Sequence, residues 1–240
     1  MEYAVIKPRC EQYWTNCGKN FISHTPGFRE VMDRDRFLGL LKFLHLVDEH
    51  AADLDKSDKI YKMRPFLDTI FPKFRNYFTP QQNISVDEGM IPTKGRLGIK
   101  QYIKDKPTNW GIKAFMLTDS ESGYILSGEI YTAKCNGLSL EELGATGSLL
   151  LQDAEMTDET HIVYVERFYS SVKLFYYLYD EMRVHAVGTV MTNRKHYPKQ
   201  LKKKNKDLKN RGDCDCEFLC RHYLSELVWQ DRKPINFLST

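Results

Sequence analysis

The 240-residue chain is 42% hydrophobic and 12% aromatic, enough to bury one large core or two modest ones and too apolar for global disorder. No run nears the roughly 18 apolar residues of a membrane-spanning helix, and Met1-Glu2-Tyr3-Ala4-Val5-Ile6-Lys7-Pro8 has no secretory pattern, so an intracellular protein with reduced cysteines is expected. The net charge is only +3, yet the segment from Arg194 to Arg211 alone carries +8, leaving an acidic remainder.

From Tyr13 to Phe78 the pattern is helical. Phe37, Leu40, Leu41, Leu44 and Val47 recur at helical spacing and predict one apolar face, with Asp33 placed to cap it. A second helix is predicted over Arg64 to Phe78, opened by Pro65 in its first turn. The acidic stretch Asp48 to Asp58 reads as a surface linker between the two.

From Ile84 the period changes to that of strands. Ile84-Ser85-Val86-Asp87 begins one, and Ile112–Thr118 and Tyr124–Tyr131 flank the hairpin turn 119–123. A helix is expected over Ser139 to Gln152, a buried strand over His161 to Val165, a helix over Ser170 to Met182 and a strand over Val184 to Val190. Two short strand-like runs, Leu224–Gln230 and Ile235–Leu238, close the chain. The fold class is therefore α+β or α/β: an N-terminal helical region, then a mixed sheet of β-β-β-α-β-α-β order, which is the order of a truncated ribonuclease H-like domain. The expected divisions are 1–80 for a helical dimerisation or DNA-binding region, 81–192 for the core, and 193–240 for the basic segment and a terminal hairpin.

In such a sheet the first strand and the strand after the first helix lie side by side and parallel. Asp87 on the one and Glu166 just beyond the other would project from the same edge, close enough to share a divalent metal. A solvent-facing Asp87 at a strand end is the alternative. The basic block Arg194, Lys195, Lys199, Lys202, Lys203, Lys204 suggests a polyanion partner, most often nucleic acid, or a nuclear import signal, against a plain solvated loop.

Several motifs together resemble the piggyBac-type transposases. These are Ile84-Ser85-Val86-Asp87-Glu88-Gly89-Met90-Ile91-Pro92 with Lys94-Gly95-Arg96, then Lys100-Gln101-Tyr102-Ile103-Lys104-Asp105-Lys106-Pro107 and Trp110-Gly111-Ile112-Lys113. Thr25-Pro26-Gly27-Phe28 and Arg34-Asp35-Arg36-Phe37 upstream, and Phe168-Tyr169-Ser170-Ser171, Asn193-Arg194-Lys195 and Leu238-Ser239-Thr240 downstream, continue the likeness. The resemblance implies DNA excision and insertion by three acids holding two magnesium ions. Asp87 matches the first acid. Glu166 stands at the second, where the family pattern reads Asp-Asn-Phe and this chain reads Glu166-Arg167-Phe168. The longer side chain moves the carboxylate by about 1 Å, a shift that can cost on the order of 100-fold in rate, and Arg167 adds a cation beside a cation site. The third acid is expected beyond an insertion that follows Leu238-Ser239-Thr240, so a partial and degenerate family member is expected. Asp231 reads as a hairpin turn.

Cys214, Cys216, Cys220 and His222 fall within nine residues, but not at the usual paired-knuckle spacing, and scattered thiols are expected rather than zinc. Phe168, Phe175 and Leu178 are expected in the core. Three functions stay open: a DNA-associated, transposase-derived nuclear protein without strand-transfer activity, contacting phosphates through Lys94, Arg96, Lys100 and the basic block; an active magnesium-dependent transposase completed by a longer chain; and a protein-interaction module. DNA and a homodimer formed through the helical region are the expected partners, and no membrane.

Overall fold

The computed structural model describes residues 10–14, 27–50, 54–104, 106–132, 161–198, 208–219 and 223–240. The expected helix Ser139–Gln152 and the basic residues Lys199, Lys202, Lys203 and Lys204 lie outside the described residues. The chain divides into two compact units, Met1–Leu54 and Asp55–Thr240.

In the first unit a 3-10 turn, Cys10–Trp14, meets two helices, α1 (Phe28–Val31) and α2 (Arg34–Lys42). The buried Trp14 ring organises them: its Nε1 donates to the Met32 carbonyl at 2.7 Å, and its ring lies 4.9 Å from Phe37 and 5.6 Å from Phe28. The apolar run is thus helical only as far as Lys42, with Leu44 and Val47 past its end. No residue of α2 is buried, and Leu40 and Leu41 stay more than half exposed. Asp33 occupies the N-cap position, but its side chain makes no capping hydrogen bond.

The second unit opens with α3 (Arg64–Tyr77), with Pro65 in the first turn, where a missing N–H costs nothing, and a second proline, Pro72, inside the helix. The described strands form one mixed sheet. They are β1 (Asn83–Pro92), β2 (Lys100–Tyr102), β3 (Trp110–Asp119), β4 (Ile125–Ile130), β5 (Ile162–Val165), β6 (His185–Thr189), β7 (Cys214–Leu219), β8 (Leu224–Gln230) and β9 (Pro234–Ser239). Their order is β2-β3-β1-β5-β6-β9-β8-β7, with β4 also on β3. β1, β5 and β6 run parallel, while β3 is antiparallel to β1. This is the arrangement expected of a ribonuclease H-like sheet, extended by an antiparallel hairpin that carries β7 as a further edge strand. Two strands, β2 and β7, carry no periodic apolar signature in the sequence.

The β3–β4 turn is set by Asp119. Its buried carboxylate accepts from the Ser122 hydroxyl at 2.6 Å, the Ser122 N–H at 2.8 Å and the Gln81 N–H at 2.9 Å, and the Ser122 bond above all holds its pKa below the ordinary range. Gly123 supplies the positive φ of 70° that the turn requires. On one face of the sheet lies α4 (Val172–Asp180), whose N-terminus is capped by Ser171 Oγ accepting from the Leu174 N–H at 3.1 Å. Leu174, Phe175 and Leu178 are fully buried against Ile84 and Val86 of β1, Val163 and Val165 of β5, and Leu238 of β9. Burying side chains of this size contributes roughly 1.5–3 kcal/mol each, which is what holds the parallel strands in register. Phe168, expected in this core, is instead 56% exposed: it falls in the turn after β5, where the chain has already left the sheet, and its ring carries the Lys113 ammonium at 5.1 Å.

Candidate active site

Register decides where the two acids come. Val86 of β1 pairs with Val165 of β5 in the parallel ladder, so the next residues, Asp87 in the middle of β1 and Glu166 just past the end of β5, arrive side by side where that ladder stops. Ile84 and Val86 are buried, as are Val163 and Val165, and alternation turns Asp87 and Glu166 away from that core. Both acids are exposed.

The backbone at Glu166 is tightly fixed. Its carbonyl accepts from the Tyr169 N–H at 2.9 Å, the Ser170 N–H at 3.1 Å and the Ser170 hydroxyl at 2.8 Å. The Arg194 guanidinium donates to the Phe168 carbonyl and, at 3.3 Å, to that of Arg167. Arg194 thereby braces the turn that carries Glu166. On the neighbouring strand Gly188 leaves room for this turn, since a Cβ there would collide with the Val165 carbonyl and lie 3.2 Å from Ser170 Oγ.

Three further residues, Glu88, Lys106 and Tyr169, gather beside Asp87. Glu88 points into the opposite face from Asp87, where the Tyr169 hydroxyl donates to its carboxylate. Lys106 Nζ lies 3.4 Å from Glu88 Oε1 and 3.8 Å from Asp87 Oδ1, and donates to the Glu88 carbonyl at 3.2 Å. Burial pushes the Glu88 carboxyl up, but the Tyr169 hydroxyl, Lys106 and Lys113 outweigh it, and the group ends below its ordinary pKa. Burial and the hydrogen bond to Glu88, then the charges of Glu88, Asp87 and Glu166, push the Tyr169 hydroxyl far up, so it remains a donor at any working pH. The only signal in the sequence was that Glu88, Lys106 and Tyr169 lie within the motifs that carried the resemblance.

The loop bearing Lys106 is shaped by one amide: Asn109 Nδ2 donates to the carbonyls of Ile103, Lys104 and Lys106 at 3.2, 2.7 and 3.1 Å. Beyond the end of β1, an open groove of about 980 Å³ is lined by Lys94, Arg96, Lys100 and Trp110 among others. Lys94 and Arg96 are exposed, and Lys100 lies over the Trp110 ring at 5.6 Å. Lys195 is exposed as well.

For a divalent ion the donors fit in kind, because Asp87 and Glu166 offer the carboxylate oxygens that magnesium takes. Among the described residues no group of three or more His, Cys, Asp and Glu side chains could hold a metal ion. Cys214 and Cys216 stand on β7 as exposed free thiols, while Cys220 and His222 lie outside the described residues. Asp231 sits in the β8–β9 turn, as expected, paired with Arg211 at 2.6 Å. No helix among the described residues is long and apolar enough to cross a membrane.

Known proteins resemble this chain in sequence and in fold. The family model described as Transposase IS4 matches residues 4–240. The human PiggyBac transposable element-derived protein 3 is 32% identical over 191 residues, which span 78% of this chain and 31% of that protein. The human PiggyBac transposable element-derived protein 2 is 26% identical across 97% of this chain and 39% of its own length. The chain thus spans about a third of the length of these curated relatives. A cryo-EM structure of a piggyBac transposase synaptic complex with hairpin DNA superposes with a TM-score of 0.72 at 24% identity, over 88% of this chain and 44% of that one. That likeness establishes a shared fold.

Proposed function

This chain belongs to the piggyBac-type Transposase IS4 family, and from that membership we propose that it is a transposase-derived, nuclear, DNA-associated protein that does not itself carry out strand transfer. The observation that carries the reading is that a glutamate, one methylene longer than the aspartate of the family pattern, stands at Glu166 in register with Asp87, on a chain whose groove past the end of β1 is furnished with Lys94, Arg96 and Lys100. Phosphate contacts need exposed cations, and Lys94, Arg96 and Lys195 provide them. The helical region 1–80 would pair with a second copy, a role supported by the exposure of Leu40, Leu41 and Leu44. The core 81–192 would carry the acids, and the segment 193–240 the basic block.

Asp87 and Glu166 are the residues that would hold a magnesium ion. When bound, such an ion polarises a phosphoryl oxygen and lowers the pKa of a coordinated water. The chain's own contribution is positional: the turn 166–170, braced by Arg194, fixes the backbone of Glu166, and β1 fixes that of Asp87. Glu166 reaches one methylene further than the aspartate of the family pattern, and Arg167 and Lys106 add positive charge where a metal would need to sit. These features support loss of strand transfer. The register itself favours the second reading, a metal-dependent enzyme.

The test is incubation with transposon-end duplex in magnesium. The wild-type chain and Glu166→Asp are expected to leave the duplex intact, while both retain binding by fluorescence anisotropy. Cleavage by the wild-type chain that Asp87→Ala abolishes would establish the enzyme reading instead, and absence of any salt-dependent duplex binding would remove the DNA reading altogether.

A further inference from the structure

We propose that Lys106 is a resident counter-ion of the acid pair, set against Asp87 so that it weakens the hold of that pair on a divalent cation. The inference rests on the reading of Asp87 and Glu166 as the cation site. Three observations carry it. Lys106 Nζ approaches both Asp87 and Glu88, at 3.8 and 3.4 Å. Its side chain is only 27% exposed, so the ammonium is not simply a solvated surface charge. And it is held there from two sides: by the Glu88 carbonyl and carboxylate at its tip, and by the Asn109 amide that ties together the backbone of its loop.

Glu88 gains a purpose from this arrangement. It lies on the opposite face of β1 from Asp87, only 14% exposed and fastened by the Tyr169 hydroxyl, which makes it an anchor for Lys106 rather than a ligand. A cation arriving at Asp87 therefore meets a positive charge already in place. Lys106 must swing away, giving up its contact with Asp87, or the ion must bind beside an ammonium that repels it. Both routes lower affinity, and both act through charge, so the effect must shrink as salt screens it.

The experiment measures Mn²⁺ binding to the full chain by the electron paramagnetic resonance signal of the free ion, at low and high ionic strength. Lys106→Met, which keeps the unbranched stem but for the terminal atom and loses the charge, is expected to tighten binding roughly three- to tenfold at low salt, with a smaller gain at high salt. Lys106→Arg keeps the charge and is expected to stay within about twofold of the wild type. Asp87→Asn should weaken binding in both the wild-type and the Lys106→Met background. If Lys106→Met leaves Asp87-dependent binding unchanged or weaker, or if its gain does not depend on salt, Lys106 is a structural lysine and the proposal fails while the acid site stands. If no protein binds Mn²⁺ in an Asp87-dependent way, the acid-pair reading fails and the proposal with it.

Discussion

Glu217 and Glu226 stand directly opposite one another on the antiparallel strands β7 and β8, and Glu226 is completely buried. Neither oxygen of Glu226, nor Oε2 of Glu217, has a hydrogen-bond partner among the described residues. Burial, and then the charge of Glu217, push the Glu226 carboxyl up to about 8. The same acid, together with burial, pushes up the hydroxyls of Tyr176 and Tyr197.

The pH dependence of stability follows from that pair. A carboxyl whose folded pKa is raised binds its proton more tightly when folded, so its contribution is complete below the unfolded value of about 4.3. That contribution is lost as pH rises through about 8. Glu226→Gln, which keeps the shape of the neutral acid, should therefore stabilise the protein at pH 8 by on the order of 2–4 kcal/mol and much less at pH 5. Urea unfolding at the two pH values measures this; equal stability of the wild type at both would contradict it.

Duplex binding should be weak, insensitive to sequence and strongly dependent on salt. With about five phosphate contacts, log affinity should fall against log salt with a slope of roughly −4 to −5. Changing Lys202, Lys203 and Lys204 together to Gln should flatten the slope by about two to three. Anisotropy titrations at four salt concentrations decide it, and an unchanged slope removes this segment from the DNA surface.

Arg194 should behave differently from those lysines. Its guanidinium donates to the carbonyls of Phe168 and Arg167, so Arg194→Ala is expected to destabilise the fold by about 1–2 kcal/mol. Arg194→Lys should recover part of this, because a single terminal nitrogen of Arg194 serves both carbonyls and an ammonium also carries enough N–H donors for two, on a shorter stem. A large change in DNA salt slope with no loss in unfolding midpoint would show that phosphate, not the turn, is its partner.

Tyr169→Phe removes the hydroxyl that holds Glu88. Tyr169 is 6% exposed, so a cost of about 1–3 kcal/mol is expected near neutral pH. Because the folded pKa of Glu88 is lowered, its contribution is present above the unfolded carboxylate value and lost as pH falls through the folded one. Acid unfolding of the variant should accordingly show a shallower loss of stability below about pH 4.3 than the wild type. Identical acid limbs would mean that the hydroxyl does not tune Glu88.

Much of this fold was legible residue by residue. Period-two runs of β-branched and aliphatic residues marked β1, β3, β4, β5 and β6, and an apolar stripe marked α4, because each buries one face against a common core; α3, which buries no residue, was marked by Pro65 in its first turn. The strands left out of that reading are ones without such a face. β2 is three residues long, and β7 alternates Cys214, Asp215, Cys216 and Glu217 at a sheet edge, so neither offers an apolar signature. The α2 stripe shows the converse, an apolar pattern that the fold leaves exposed.

By itself the sequence determined the identity of the acids, the family motifs and the order of the elements, since composition and periodicity are local properties. Tertiary structure alone decided what those residues do to one another. A loop organised by Asn109 brings Lys106 to Asp87 across nineteen positions of sequence. Arg194 reaches back to the turn at Phe168, and Glu226 is sealed opposite Glu217. Each of these depends on which strands adjoin and in what register, and interactions that fall off within a few ångströms leave no trace in the spacing of residues along the chain.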